Sequence, residues 1–184
     1  MIHPEIRRAV VANFPALARL VILAPPAAGY AAIVAARADV AVDVRTPDNV
    51  RAGDDTPWPF ANVLLEGIDD LEDPVTFFER LRERTPRARL FALIANAAHL
   101  PGLGRFYAGA PSPARPLVRE EIAPLFRAGG WEPASIASIV DASLPAPGSV
   151  PIEFDAGPIK FQIVDPEMLE RGRCAAFFVT ADRR

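Results

Sequence analysis

The chain is predicted to fold as one α/β domain, residues 1–184, around a mostly parallel sheet. Three observations carry this. Short apolar runs rich in branched residues (Leu20–Leu23, Val40–Val44, Asn62–Leu65, Arg89–Ala95) alternate with segments of helical periodicity. Helix boundaries are marked by proline at first-turn positions and by glycine at the ends. With 184 residues, 51% hydrophobic and 23% charged, the chain can bury one substantial core and is not a disordered polymer.

In chain order, Pro4 followed by Ile6, Val10 and Val11 opens a short helix ending before Phe14-Pro15. Leu20–Leu23 is a buried strand, and the alanine-rich stretch from Ala27 to Ala36 reads as a helix. Val40–Val44 is the second strand, and Arg45 to Pro59, with Gly53, Asp54 and Asp55, reads as loop. The third strand is Asn62–Leu65. Asp73 then caps a helix with Pro74 in its first turn; Leu71, Val75, Phe78 and Leu81 recur at helical spacing, and Glu79, Arg80, Arg82, Glu83 and Arg84 are assigned to water. After the strand Arg89–Ala95, the stretch from Pro101 to Pro116 reads as a loop or lid. Glu120–Ala128 is a helix stopped by Gly129-Gly130. Ile136–Val140 is a strand, Leu144–Pro158 a proline-glycine loop, Ile159–Val164 an extended segment that can pair antiparallel, Asp165 the cap of a short helix ending near Gly172, and Arg173–Thr180 the last strand.

Several function classes are excluded. A net charge of -3 offers no basic surplus for nucleic acid. The single cysteine, Cys174, rules out an internal disulfide framework, and with only His3 and His99 no metal is expected. The acids Asp69, Asp70, Glu72 and Asp73 at a helix start answer to the helix dipole. The longest uncharged run, Leu20 to Ala36, is short for a membrane span and is broken by Pro25-Pro26 and Gly29. Met1-Ile2-His3-Pro4-Glu5 lacks a signal peptide's pattern, so a cytoplasmic protein is expected. Twenty prolines, about twice the usual ~5%, are notable because two fall in a loop that matters below. Nineteen of the twenty basic residues are arginine, a bias ascribed to genome composition.

Leu64 to Pro74, LLEGIDDLEDP, resembles the fourth strand and following turn of the class I S-adenosylmethionine-dependent methyltransferases, with Glu66 at the acidic position and Asp73-Pro74 coinciding. LFALIANAAHL resembles the family's fifth strand and its tail, with Ala95 in place of a proline, and REEIAPLFRAGGW resembles the helix before the sixth strand. The likeness spans about Val63 to Trp131. It implies a Rossmann-like, doubly wound sheet whose last strand runs antiparallel, with ligands outside the carboxyl ends of the strands. The stretch after the second strand is too short for a helix plus a further edge strand, so the third strand of the family is expected to be missing. No helix of two turns or more is expected between Val44 and Phe60.

The resemblance also assigns a cofactor site for S-adenosylmethionine. Gly29 is the surviving glycine of the first motif; Leu23, Pro25 and Ala27 replace its acid and two glycines, and Pro25-Pro26 supply no N–H. Asp43 takes the position that accepts the ribose hydroxyls, Asp54 and Asp55 the position near the adenine, and Glu66 the position that meets the cofactor's amino group or serves as a base. His99 is the other candidate base, Asn96 would orient an acceptor, and Phe106 and Tyr107 would line its pocket. For each there is a plainer alternative: an exposed strand-end acid for Asp43, a solvated turn for Asp54 and Asp55, a salt-bridged carboxylate for Glu66, a structural histidine for His99 and a pinned loop for Phe106 and Tyr107. Trp58, Trp131 and Cys174 are assigned to packing. Two functions follow from two classes. One is methyl transfer to a small-molecule or sugar hydroxyl; the other is a non-catalytic domain that has lost the cofactor and serves interaction or homo-oligomerisation, through apolar residues around the missing edge strand.

Overall fold

The computed structural model describes residues 2–14, 19–35, 41–51, 58, 62–110, 115–156 and 159–184. A six-stranded sheet has the order β2-β1-β3-β4-β8-β5 and a two-stranded sheet pairs β6 with β7. The elements are α1 (Pro4–Ala12), β1 (Arg19–Leu23), α2 (Tyr30–Ala35), β2 (Ala41–Arg45), α3 (Asp48–Arg51), β3 (Asn62–Glu66), α4 (Pro74–Arg84), β4 (Arg89–Ala95), α5 (Leu100–Tyr107), α6 (Arg119–Ala128), β5 (Trp131–Val140), β6 (Ile152–Ala156), β7 (Ile159–Ile163), α7 (Pro166–Arg173) and β8 (Cys174–Arg183). β1, β2, β3 and β4 are parallel, and β8 runs antiparallel between β4 and β5.

The central strands are continuous apolar runs because both faces are covered. Val21, Leu23, Val63, Leu65, Leu90, Ala92 and Ile94 join Phe78, Leu81, Ile122 and Phe126 of α4 and α6 on one face. Leu20, Ile22, Leu64 and Leu93 join Val10 and Val11 of α1 and Tyr30 of α2 on the other. Strand order reverses between β1 and β3, which sets a crevice at their carboxyl ends. β2 is the edge among the described residues, and most of the stretch on which the missing strand was expected, 52–57 and 59–61, lies outside them. Of the span from Val44 to Phe60, residues 44–51 and 58 are described, and they hold one four-residue helix, α3.

Five sequence expectations need correction. The Ala27–Ala36 helix is divided: a 3₁₀ turn covers Pro26–Ala28, Gly29 adopts φ 72°, and α2 begins only at Tyr30. Residues 100–107 form α5 and not a loop, because Pro101 is tolerated in a first turn and Leu100 packs into a satellite core with Ile163 and Leu169. β6 lies inside the supposed proline-glycine loop; Ile152 and Phe154 alternate with Glu153 and Asp155 and turn toward that same satellite core. β5 begins five residues early, at Trp131, since Pro133 is acceptable on an edge strand at a register shift. Arg84 is buried instead of exposed: it donates to the Asn49 carbonyl at 2.9 Å and stacks near Trp58, 5.7 Å from the ring centroid. The tryptophans and Cys174 are packing residues as expected, Trp131 donating its Nε1–H to the Phe78 carbonyl at 3.2 Å.

Candidate functional site

At the β1–β3 crevice the loop after β1 has turned several of its donors inward. Ala24 N–H bonds to the Arg45 carbonyl, Ala28 N–H to Pro25 and Gly29 N–H to Pro26, while Pro25 and Pro26 have none to give. Pro25 also lies against the turn after β3: a Cβ built on Gly67 would stand 2.9 Å from Pro25 Cγ, and Gly67 itself holds φ 86°. Gly67 is glycine because nothing larger fits that backbone at that approach.

Glu66, at the carboxyl end of β3, is only 6% exposed and fully engaged. Arg7 of α1 donates its Nε–H to Glu66 Oε2 at 2.9 Å and Oε1 at 3.1 Å, and Nη2 to Oε1. The Tyr30 hydroxyl donates to Oε2 at 2.8 Å. The carboxylate hydrogen bond holds the Arg7 guanidinium above its ordinary pKa, and burial pushes the Tyr30 hydroxyl up, so this cluster stays an ion pair with a neutral phenol. Beside it, burial raises the Asp69 carboxyl to about 6, with Asp70 and Glu66 adding to the shift. Asp43 of β2 is bound by Arg45, whose Nε donates at 2.7 Å and whose guanidinium lies 4.7 Å from the Trp58 ring centroid. Asp54 and Asp55 lie outside the described residues.

The groups that S-adenosylmethionine would use therefore already hold one another. A zwitterionic amino acid needs free N–H donors for its carboxylate and a free acceptor for its ammonium. This loop offers two prolines and, at Ala28 and Gly29, amides already bonded within it, and Glu66 faces a guanidinium. Among the described residues, Glu66 and Pro25-Pro26 do not fit the cofactor's amino-acid end.

The carboxyl end of β4 is built differently. Asn96 donates Nδ2 to the carbonyls of Arg171 (3.0 Å) and Cys174 (2.8 Å) and accepts from Ala98 N–H (3.1 Å), tying the strand end to α7 and β8. His99 Nε2 lies 3.1 Å from Asp141 Oδ2, just past β5. Asp141 Oδ1 accepts from the Ser143 hydroxyl at 2.6 Å and the Ser143 N–H at 3.0 Å, and the hydroxyl bond leads in holding the Asp141 carboxyl below its usual range. Burial depresses His99 against the opposing pull of Asp141, so its imidazole is neutral at pH 7. The pair lines a cleft of about 530 Å³ shared with Ile2, His3 and Ile6. A second cavity, about 570 Å³, opens at the ends of β4 and β5, with Cys174 and Phe177 among its walls. Burial raises the Cys174 thiol, whose Sγ–H bonds to the Ala176 carbonyl at 3.2 Å.

Phe106 and Tyr107 line neither space. They are about half exposed on α5, Tyr107 standing 5.7 Å from Phe161 of β7. Together with Val164 and Met168 they make four of the six large exposed apolar side chains of the described residues; the other two are Val44 on β2 and Val140 at the end of β5. Arg7, Tyr30 and Asp141 were not singled out from the sequence. Arg7 did carry a signal, since it sits three and four residues before Val10 and Val11, on the buried face of α1. Asp141 carried none: its partner is 42 residues away and the two meet only because β4 and β5 end at the same side of the sheet.

No family model and no curated protein matches the sequence. Solved structures do match. A putative methyltransferase of Haloferax volcanii, solved with a methyltransferase activator, has 14% identity and TM-score 0.57, the match covering 96% of this chain and 88% of the other. An S-adenosylmethionine-dependent methyltransferase of Mesorhizobium loti has 13% identity and TM-score 0.55 over 99% and 98%. Against mitomycin 7-O-methyltransferase (14%, TM-score 0.56) the match takes in 98% of this chain and about half, 54%, of the other. At these identities the likeness is one of fold: α/β, Rossmann-like, with the sheet topology of the class I methyltransferases. No helix of the described residues is long and apolar enough to cross a membrane.

Proposed function

We propose that this chain is a methyltransferase-fold domain that binds rather than transfers, having given up S-adenosylmethionine. The observation that supports this reading is the closure of Glu66 by Arg7 and Tyr30 at the place where the cofactor's amino acid would lie. A buried carboxylate held between a bidentate guanidinium and a phenol is freed only at the cost of leaving a buried charge alone. Interaction through the face of α5 and α7, in the manner of a domain that works with a partner, is in keeping with the exposed Phe106, Tyr107, Val164 and Met168. A lone buried thiol suits the cytoplasmic setting expected from the sequence.

The second reading, methyl transfer to a small-molecule or sugar hydroxyl, draws on the His99–Asp141 pair: a neutral imidazole oriented by a carboxylate, able to take a proton. Glu66, ion-paired, is a poorer base. Calorimetric titration with S-adenosylhomocysteine separates the two. Absence of saturable heat at millimolar ligand is expected; binding that Asp43→Ala weakens would establish the second reading and reject the first.

A further inference from the structure

The cavity at the ends of β4 and β5 has no part in the pairing that closes the crevice. Its apolar walls come from Val118, Ile136, the half-exposed Val140 and Phe177, and polar side chains complete the lining. Its volume of about 570 Å³ falls within the range of about 300–1,000 Å³ usual for small-molecule sites. The charges at its border are unequal: Glu120, Glu167 and Glu170 against Arg119 and Arg171.

The two guanidiniums are already directed. Arg171 donates to Glu167 at 2.8 Å. Arg119 donates to Ser138 Oγ at 3.1 Å and to the Ile136 carbonyl at 3.0 Å, bracing α6 against β5. Glu120 and Glu170 have no ion pair or hydrogen bond among the described residues. Asn96 has committed its NH₂ to two carbonyls, so what it retains is acceptor capacity on an oxygen that takes one bond. With Glu167 and Arg171 paired, Glu120 and Glu170 outnumber the Arg119 charge by one at the border of the cavity.

We propose that this cavity binds an amphipathic amine, an apolar ring or chain carrying a protonated nitrogen, with the body against Ile136, Val140 and Phe177 and the head between Glu120 and Glu170. The assignment rests on the reading of the chain as a binding domain, and it names the ligand class that reading leaves open.

The test uses three probes of one shape, titrated calorimetrically into the full chain: 2-naphthylmethylamine, 2-naphthalenemethanol and 2-naphthoate. The amine is expected to bind saturably and about tenfold tighter than the alcohol, the ratio that ~1.4 kcal/mol corresponds to, with the carboxylate weakest. Glu120→Gln/Glu170→Gln should bring amine and alcohol within about twofold of each other while leaving the alcohol unchanged. Ser138→Phe, with its fold checked by circular dichroism, should abolish binding of all three by filling the chamber. The proposal is overturned if the carboxylate binds best, if the amine gains nothing over the alcohol, if amine binding survives Ser138→Phe, or if no probe binds. The S-adenosylhomocysteine titration reads a different site, so either result leaves this one to be judged separately.

Discussion

Two places along the carboxyl ends of the parallel strands that a ligand could reach have been treated in opposite ways. Between β1 and β3 the described candidates face partners from the same chain: the Ala28 and Gly29 amides the carbonyls of Pro25 and Pro26, Asp43 its neighbour Arg45, Glu66 the Arg7–Tyr30 pair. Beyond β4 the polar groups tie elements together at the rim and leave two spaces of over 500 Å³ between them. The same fold has closed one pocket with ion pairs and kept others open with apolar walls. Fold and function part company at this point. The topology is decided by which faces of the strands are buried, whereas ligand capacity is decided by a few uncommitted donors and acceptors at strand ends.

The strongest way to break the comparison is at Arg7. Arg7→Ala leaves the Glu66 carboxylate buried beside a neutral phenol, and a loss of about 3–5 kcal/mol is expected in urea unfolding. A loss below about 1 kcal/mol, the worth of a surface pair, would mean the crevice is open and the pair ornamental. Asp69→Asn comes next, with the opposite sign. A carboxyl raised from 3.8 to about 6 on folding penalises the folded state as pH climbs through that window. The substitution should therefore stabilise by up to about 2–3 kcal/mol at pH 7 and by nothing below about pH 4. A gain that does not depend on pH would place the carboxyl in water.

How far the sequence carries can be judged from particular elements. β1, β3 and β4 are apolar runs because both their faces are covered, and α4 announces itself through Asp73, whose Oδ1 accepts from Thr76 N–H at 3.1 Å, and through Pro74. These are local signals. α5 and β6 were hidden because Gly102, Gly104 and Pro151 argue locally for loop, and only the satellite core of Leu100, Ile163 and Leu169 outweighs them. At the site the missing donors of Pro25-Pro26 were legible, since proline's lack of an N–H is a property of the residue itself. A salt bridge at Glu66 was one of the sequence alternatives, but its partner was not readable, because Arg7 arrives on α1 laid across the end of β3, a contact 59 residues apart. His99 shows the same division: its position was readable, its Asp141 partner was not.

Gly67→Ala gives a smaller effect at the same crevice. A side chain at φ 86° with its Cβ 2.9 Å from Pro25 should cost about 1–3 kcal/mol, read as a lowered Tm. An unchanged Tm would show that Pro25 is free to move away, and with it the seal. Smallest is Asp43→Asn, which removes a partly exposed pair and should change stability by less than about 1 kcal/mol. A larger loss would give Asp43 a structural duty beyond its neighbour Arg45.

The most direct measurement is an amide-resonance map of the ¹⁵N-labelled chain, taken once with S-adenosylhomocysteine and once with 2-naphthylmethylamine. The account expects Gly29, Tyr30, Asp43 and Gly67 to stay in place with the first ligand, and residues around Ser138, Cys174 and Glu170 to shift with the second. Saturable shifts at Gly29 and Gly67 with S-adenosylhomocysteine would contradict it, because they would require the Arg7–Glu66–Tyr30 closure to yield to the cofactor.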